Sequence, residues 1–159
     1  TGILSSTFLG GSGNDGINEI IMNYGDWARG EVILDPNDNI YISSSTNSTN
    51  FPSTNCSRCS KAGGQDAVVF KLNPAGTSLL WSNYYGSTSD DAGYSLKFHN
   101  GAVFVTGGTD WNNLPSTTGG YKSTYGGNLD GYVAKFDAST GALQQSTYLG
   151  TSAYDQSFI

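Results

Sequence analysis

The sequence predicts an all-β protein assembled from a long internal repeat. Three observations carry this. A five-residue block, Ser6-Thr7-Phe8-Leu9-Gly10, returns as Ser82-Asn83-Tyr84-Tyr85-Gly86 and as Ser146-Thr147-Tyr148-Leu149-Gly150, at intervals of 82 − 6 = 76 and 146 − 82 = 64 residues. Short runs of β-branched and aromatic residues stand between clusters of Gly, Asn, Asp and Pro, the punctuation of strands and turns. No window sustains an apolar period of about 3.6 residues, so essentially no helix is expected. A fixed long period marks supersecondary units that bury their faces only by stacking on neighbours.

Other landmarks keep step with the block. Asp15, Asp91 and Asp155 each lie five residues after its Gly. Phe51-Pro52-Ser53-Thr54 answers Leu114-Pro115-Ser116-Thr117, and Asp66-Ala67-Val68-Val69-Phe70-Lys71-Leu72 answers Asp130-Gly131-Tyr132-Val133-Ala134-Lys135-Phe136. The chain therefore divides into the end of a preceding unit (1–10), a full unit (11–86), a second full unit (87–150) and the start of another (151–159).

In the second unit, strands are expected at 94–98, 102–106, 131–136 and 142–149. Asn100-Gly101 supplies a tight hairpin between the first two, because both residues take positive φ readily. Ala138-Ser139-Thr140-Gly141 turns between the last two. In the strand at 131–136, alternation puts Tyr132, Ala134 and Phe136 on one face. The first unit repeats the plan with strands at 39–44, 67–72 and 78–84. Its 76 − 64 = 12 extra residues fall near 23–30, between β-like runs at 17–22 and 30–34. Four short antiparallel strands per long repeat is the content of a propeller blade. The fold expectation is β-propeller-like blades, a fragment of a larger array.

Composition narrows the functions. Charged residues make up 13% of the chain, about half the usual share, yet aromatics also reach 13%, which disordered chains lack. With a net charge of −6 and no Lys/Arg cluster, nucleic acid is not expected as a partner. No apolar run approaches the ~18 residues of a membrane-spanning helix. Low charge with abundant Ser, Thr, Asn, Gly and Tyr is the composition of bacterial surface and secreted β proteins, so an extracellular or cell-surface location is expected. The first residues, Thr1-Gly2-Ile3, read as part of an ongoing strand, and a piece of a longer chain is the expectation.

The order and spacing of these segments resemble the SBBP family, a β-propeller repeat of large bacterial surface and secreted proteins. Many such proteins come from the Bacteroidetes and carry sorting domains for type IX secretion. The resemblance is carried in the first unit by residues 6–15, 39–45, 51–54, 63–72 and 76–86, and in the second by 103–109, 114–117, 126–136 and 141–150. It implies a propeller fold and supplies no shared catalytic residues. The chain departs from the pattern at residues 26–30 and in the loop holding Cys56 and Cys59.

Several motifs have both a chemical and an architectural reading. Gly10-Gly11-Ser12-Gly13-Asn14-Asp15-Gly16-Ile17-Asn18 matches the calcium nonapeptide of β-rolls, but that site needs tandem copies and the next nine residues show none. Glycines for a sharp strand exit, with Asp15 capping the turn, is the simpler account. Asp35-x-Asn37-x-Asn39 has the opening rhythm of an EF-hand loop but carries Ile40 and Thr46 where that loop needs Gly and Glu, so it reads as a hairpin. A looser cation site among Asp15, Asp90, Asp91 and Asp130 is carried forward, with calcium as the ion; no other cofactor is expected.

Cys56-Ser57-Arg58-Cys59 admits a redox pair, half a zinc site or a local disulfide. No helix is visible to hold a redox pair, and zinc would need two more ligands where only His99 remains. A disulfide stiffening the long loop is the expectation for a secreted protein. Catalysis has little material, with one His, two Glu and no nucleophile elbow, so no catalytic residue is expected. Trp27 and Trp111, beside Asp26 and Asp110, are placed in loops where an aromatic ring suits sugar stacking; Trp81 falls in a strand and reads as packing.

These readings converge on a non-catalytic structural and adhesive module of a large secreted or cell-surface protein. Its expected partners are further repeats of the same polypeptide or other chains. The alternative is a carbohydrate-binding module using Trp27, Trp111 and Asp110 on polysaccharide, with calcium assisting. A third reading is part of a propeller enzyme whose active site lies elsewhere.

Overall fold

Alternating burial along short strands gives each unit two faces to cover, and two four-stranded antiparallel sheets result. A computed structural model describes residues 2–18 and 29–158. The first sheet comprises β1 (Glu31–Leu34), β2 (Ile40–Thr46), β3 (Asp66–Leu72) and β4 (Leu79–Tyr85), in that order. The second comprises β5 (Asp91–His99), β6 (Ala102–Thr109), β7 (Asp130–Asp137) and β8 (Leu143–Leu149), again in sequence order. No helix occurs among the described residues.

The registers of the two sheets are copies. Val68 pairs with Tyr84 as Tyr132 pairs with Tyr148, and a bulge follows Lys71 as one follows Lys135. The hairpins have the predicted chemistry, with Asn100 at φ 46° and Gly101 at φ 74° between β5 and β6. Asp35 organises the β1–β2 turn, its Oδ1 accepting from the amides of Asn37 (2.8 Å) and Asn39 (3.0 Å). Two strands run longer than the sequence suggests. β5 starts at Asp91 and β6 continues to Thr109, because these residues pair with each other beyond the irregularity at Gly93–Ser95. Of the expected run at 17–22, Ile17 and Asn18 are not in a strand, and the remainder lies outside the described residues, as does most of the insertion at 23–30.

The two sheets pack front to back. Tyr41, Ala67, Val69, Trp81 and Tyr85 form the front of the first sheet and are buried against Val103, Val105, Tyr132, Ala134 and Phe136 on the back of the second. The predicted trio Tyr132, Ala134 and Phe136 is fully buried. Tyr85 sits edge-on to Phe136 and 4.9 Å from the Tyr132 ring, while the Tyr132 hydroxyl donates to the Ala92 carbonyl. The back of the first sheet holds the equivalent positions Val68, Phe70, Leu72 and Tyr84, covered by Phe51 and Leu9. Each long loop ties down the same way: Phe51 N donates to Tyr84 Oη at 2.8 Å, and Leu114 N to Tyr148 Oη at 2.9 Å.

Tyr132 lies at the centre of this interface, so Tyr132→Ala is expected to cost about 3–5 kcal/mol of stability. Tyr121→Ala, at a position 92% exposed, is expected to stay within about 0.5 kcal/mol. Equilibrium denaturation of the two variants checks both values.

Candidate functional site

A polar cluster lies where the β7–β8 turn of the second unit meets the front of the first sheet. The Ala138 carbonyl accepts from Trp81 Nε1 and from Lys71 Nζ, each at 3.1 Å, and the Tyr41 hydroxyl lies 3.2 Å away. Three adjacent strands of one unit thus reach a single oxygen of the other. Asp35 balances the lysine, its Oδ2 lying 3.8 Å from Lys71 Nζ and 3.0 Å from Tyr41 Oη. Its carboxyl is held below the usual range by hydrogen bonds from Asn39, Asn37 and Tyr41, which outweigh its desolvation. Asn83 completes the seam, donating to the Gly141 carbonyl at 2.9 Å while its Oδ1 accepts from the amides of Ser57 and Arg58. Gly141 has φ 73° and would put a Cβ 2.8 Å from the Trp81 ring, so the turn requires glycine twice over.

The recurring aspartates all turn their carboxylates onto local backbone. Asp15, Asp91 and Asp155 each accept from the amide four residues earlier, those of Gly11, Ser87 and Thr151. Asp66 takes the amides of Ala62 and Gly63, and Asp130 that of Gly126. Asp66 and Asp91 meet at the unit junction, where a Cβ on Gly86 would lie 2.6 Å from Asp91 Oδ2 and 3.0 Å from Asp66 Cγ. Only glycine fits between the two acids. Burial pushes both carboxyls up, Asp91 strongly, against the hydrogen bonds that favour its charge.

The residues chosen from the sequence as binding candidates fall in two places. Asp90, Asp91, Asp110 and Trp111 gather at the end of β5 and β6. Asp90 N donates to Asp110 Oδ1 at 2.9 Å, Asp90 Oδ1 accepts from Gln65 N at 2.8 Å, and Asn113 is tied to Thr88. Trp111 projects from this loop with half its surface exposed. Asp15 occupies the equivalent junction one unit earlier, bonded to Thr46 and Ser48, and does not meet the others. Trp27 lies outside the described residues. Among the described residues, no group of three His, Cys, Asp or Glu side chains is arranged to hold a metal ion. His99 is exposed at the end of β5.

Cys56 and Cys59 form a disulfide. It closes the loop that Asn83 grips, so the bond stiffens a segment lying on the seam. The Ala138 cluster itself escaped the sequence reading. Its signal was a mismatch: Trp81 aligns with Gln145 although Lys71 and Lys135 match, which marks a front face specialised for one neighbour. Comparison with known protein families and with curated proteins finds no match for this chain.

Two outcomes follow from this geometry. The Cys56–Cys59 bond closes so short a loop that its reduction is expected to lower stability by at most about 2 kcal/mol, and elemental analysis is expected to find no stoichiometric zinc. Asp91 keeps its proton in the folded chain to a higher pH than in the unfolded one. Its contribution is therefore complete below about pH 4 and is lost as pH rises through its raised value. Asp91→Asn is expected to flatten that decline in the denaturation midpoint measured against pH. Asp137, held down to about 2 by Ser139 and Thr140, acts in the opposite sense and is lost only as pH falls through that value.

Proposed function

We propose that the chain is a non-catalytic structural and adhesive module, two blades of a propeller-type repeat array in a large secreted or cell-surface protein. The observation that carries this reading is how the recurrent polar residues are used. The repeated Asp and Tyr side chains are engaged in capping turns and tying loops to their own unit, and Lys71 in joining one unit to the next. A position spent on architecture in each unit is not available for chemistry. The resemblance to the SBBP repeat and the disulfide both favour an extracellular setting.

The radial arrangement of blades has its own support. Arg29 precedes β1 of the first unit, Tyr94 lies in the second, and Phe158 occupies the position 64 residues later. The Arg29 guanidinium lies 4.2 Å from the Phe158 ring centre and 5.6 Å from that of Tyr94, and the two rings stack at 4.9 Å. Sheets stacked flat at about 10 Å would hold the first and third units some ~20 Å apart. Contact across the middle unit favours inner edges that converge, as blades do around an axis.

A second reading, carbohydrate binding, rests on Trp111, whose half-exposed ring stands beside Asp110. Titration of tryptophan fluorescence with glycan panels, with and without a calcium chelator, separates the two. The structural reading expects no saturable change. A saturable change abolished by Trp111→Ala would replace it with the sugar-binding one.

A further inference from the structure

We infer that residues 3–9 are the fourth strand of another repeat unit, and that they complete its sheet by pairing with its third strand. The repeat aligns Ile3 with Leu79 and Leu143, where β4 and β8 begin, and Leu9 with Tyr85 and Leu149, where they end. One face of the segment is already seated as that alignment demands. Leu9 packs on the back of the first sheet, with Val68 and Phe70, as its counterpart Tyr85 packs on Tyr132 and Phe136. Ser5, the counterpart of Trp81, lies against the β3–β4 turn: a Cβ on Gly76 would stand 3.1 Å from its Oγ, as one on Gly141 would stand against Trp81.

The opposite face is bare. Phe8 is fully exposed and Ile3 is 88% exposed. Their counterparts are covered: Tyr84 and Tyr148 are 2% and 0% exposed, and Leu79 and Leu143 pack on the two cores. In both full units the third strand flanks these side chains, with Val68 opposite Tyr84 and Tyr132 opposite Tyr148, and the loop residue Phe51 or Leu114 bonds the tyrosine from above. The occupant that fits residues 3–9 is therefore a strand of the type of Asp66–Leu72 or Asp130–Asp137, belonging to a further unit of this repeat. Its backbone pairs with the open edge and its alternate side chains cover Ile3 and Phe8, the mode of strand addition. This rests on the repeat-module reading above and adds the partner element to it.

The test uses hydrogen exchange on the chain with and without a synthetic peptide of residues 129–137, and on an extended chain in which residues 87–142 are repeated directly ahead of Ile3. Amides of residues 3–9 are expected to exchange at least tenfold more slowly in one or both settings. Phe8→Ser is expected to remove that protection and lower the Tm of the extended chain while leaving the Tm of the parent chain unchanged. Equally fast exchange at residues 3–9 in all settings, or protection indifferent to Phe8→Ser, overturns the inference. Saturable glycan binding would instead sink the structural reading and leave these exchange rates as they are, so the two fail separately.

Discussion

The carbonyl of Ala138 receives side chains from β2, β3 and β4 of the neighbouring unit, and the join between the sheets is organised around that convergence. Lys71 and Trp81 can reach it only because the β7–β8 turn presents the oxygen outward, and the turn adopts that shape because Gly141 takes a positive φ. A buried ammonium is tolerated because Asp35 stands beside it and the Tyr41 ring lies 4.9 Å below it. Removing Asp35 would leave the Lys71 charge buried without its counter-ion. The aromatic packing of Tyr85 on Tyr132 and Phe136 adds area to this join, but the polar contacts fix its register.

The remaining architecture repeats a small vocabulary. An aspartate caps the turn that follows the outer strand, another caps the loop before the third strand, and a tyrosine hydroxyl anchors the long connection. Burial of acids next to one another at the junction, as with Asp66 and Asp91, is unfavourable by itself. The amides each carboxylate collects offset part of this cost, and the close approach of the two side chains to Gly86 is why the block ends in glycine.

Much of this was legible in the sequence and some was not, for physical reasons. The hairpin at Asn100-Gly101 and the face of Tyr132, Ala134 and Phe136 depend on local φ preference and on period-two alternation, both readable within a few residues. The capping role of Asp15 and its counterparts follows from turn chemistry four residues away. The role of Trp81 was opaque because its partner lies 57 residues further on, in a turn whose own sequence is unremarkable. The full extent of β5 and β6 was also missed, since the ladder is extended through Asp91, Gly93, Gly107 and Gly108, residues of low strand propensity. Of the sugar-stacking candidates, Trp111 stands at a surface loop as read, and Trp27 falls outside the described residues.

Front and back of each sheet are chemically different: Tyr41, Lys71 and Trp81 mark one side of the first unit, and Val68, Phe70 and Leu72 the other. A contact of this kind has no two-fold axis. Units joined through it share a direction, so an assembly built on the same contact has two unlike ends. Whether it forms a closed ring or an open filament depends on whether the rotation per step divides a full turn with no rise along the axis. A change at the seam that alters that rotation by a few degrees would therefore change the symmetry of the whole assembly while leaving each sheet intact.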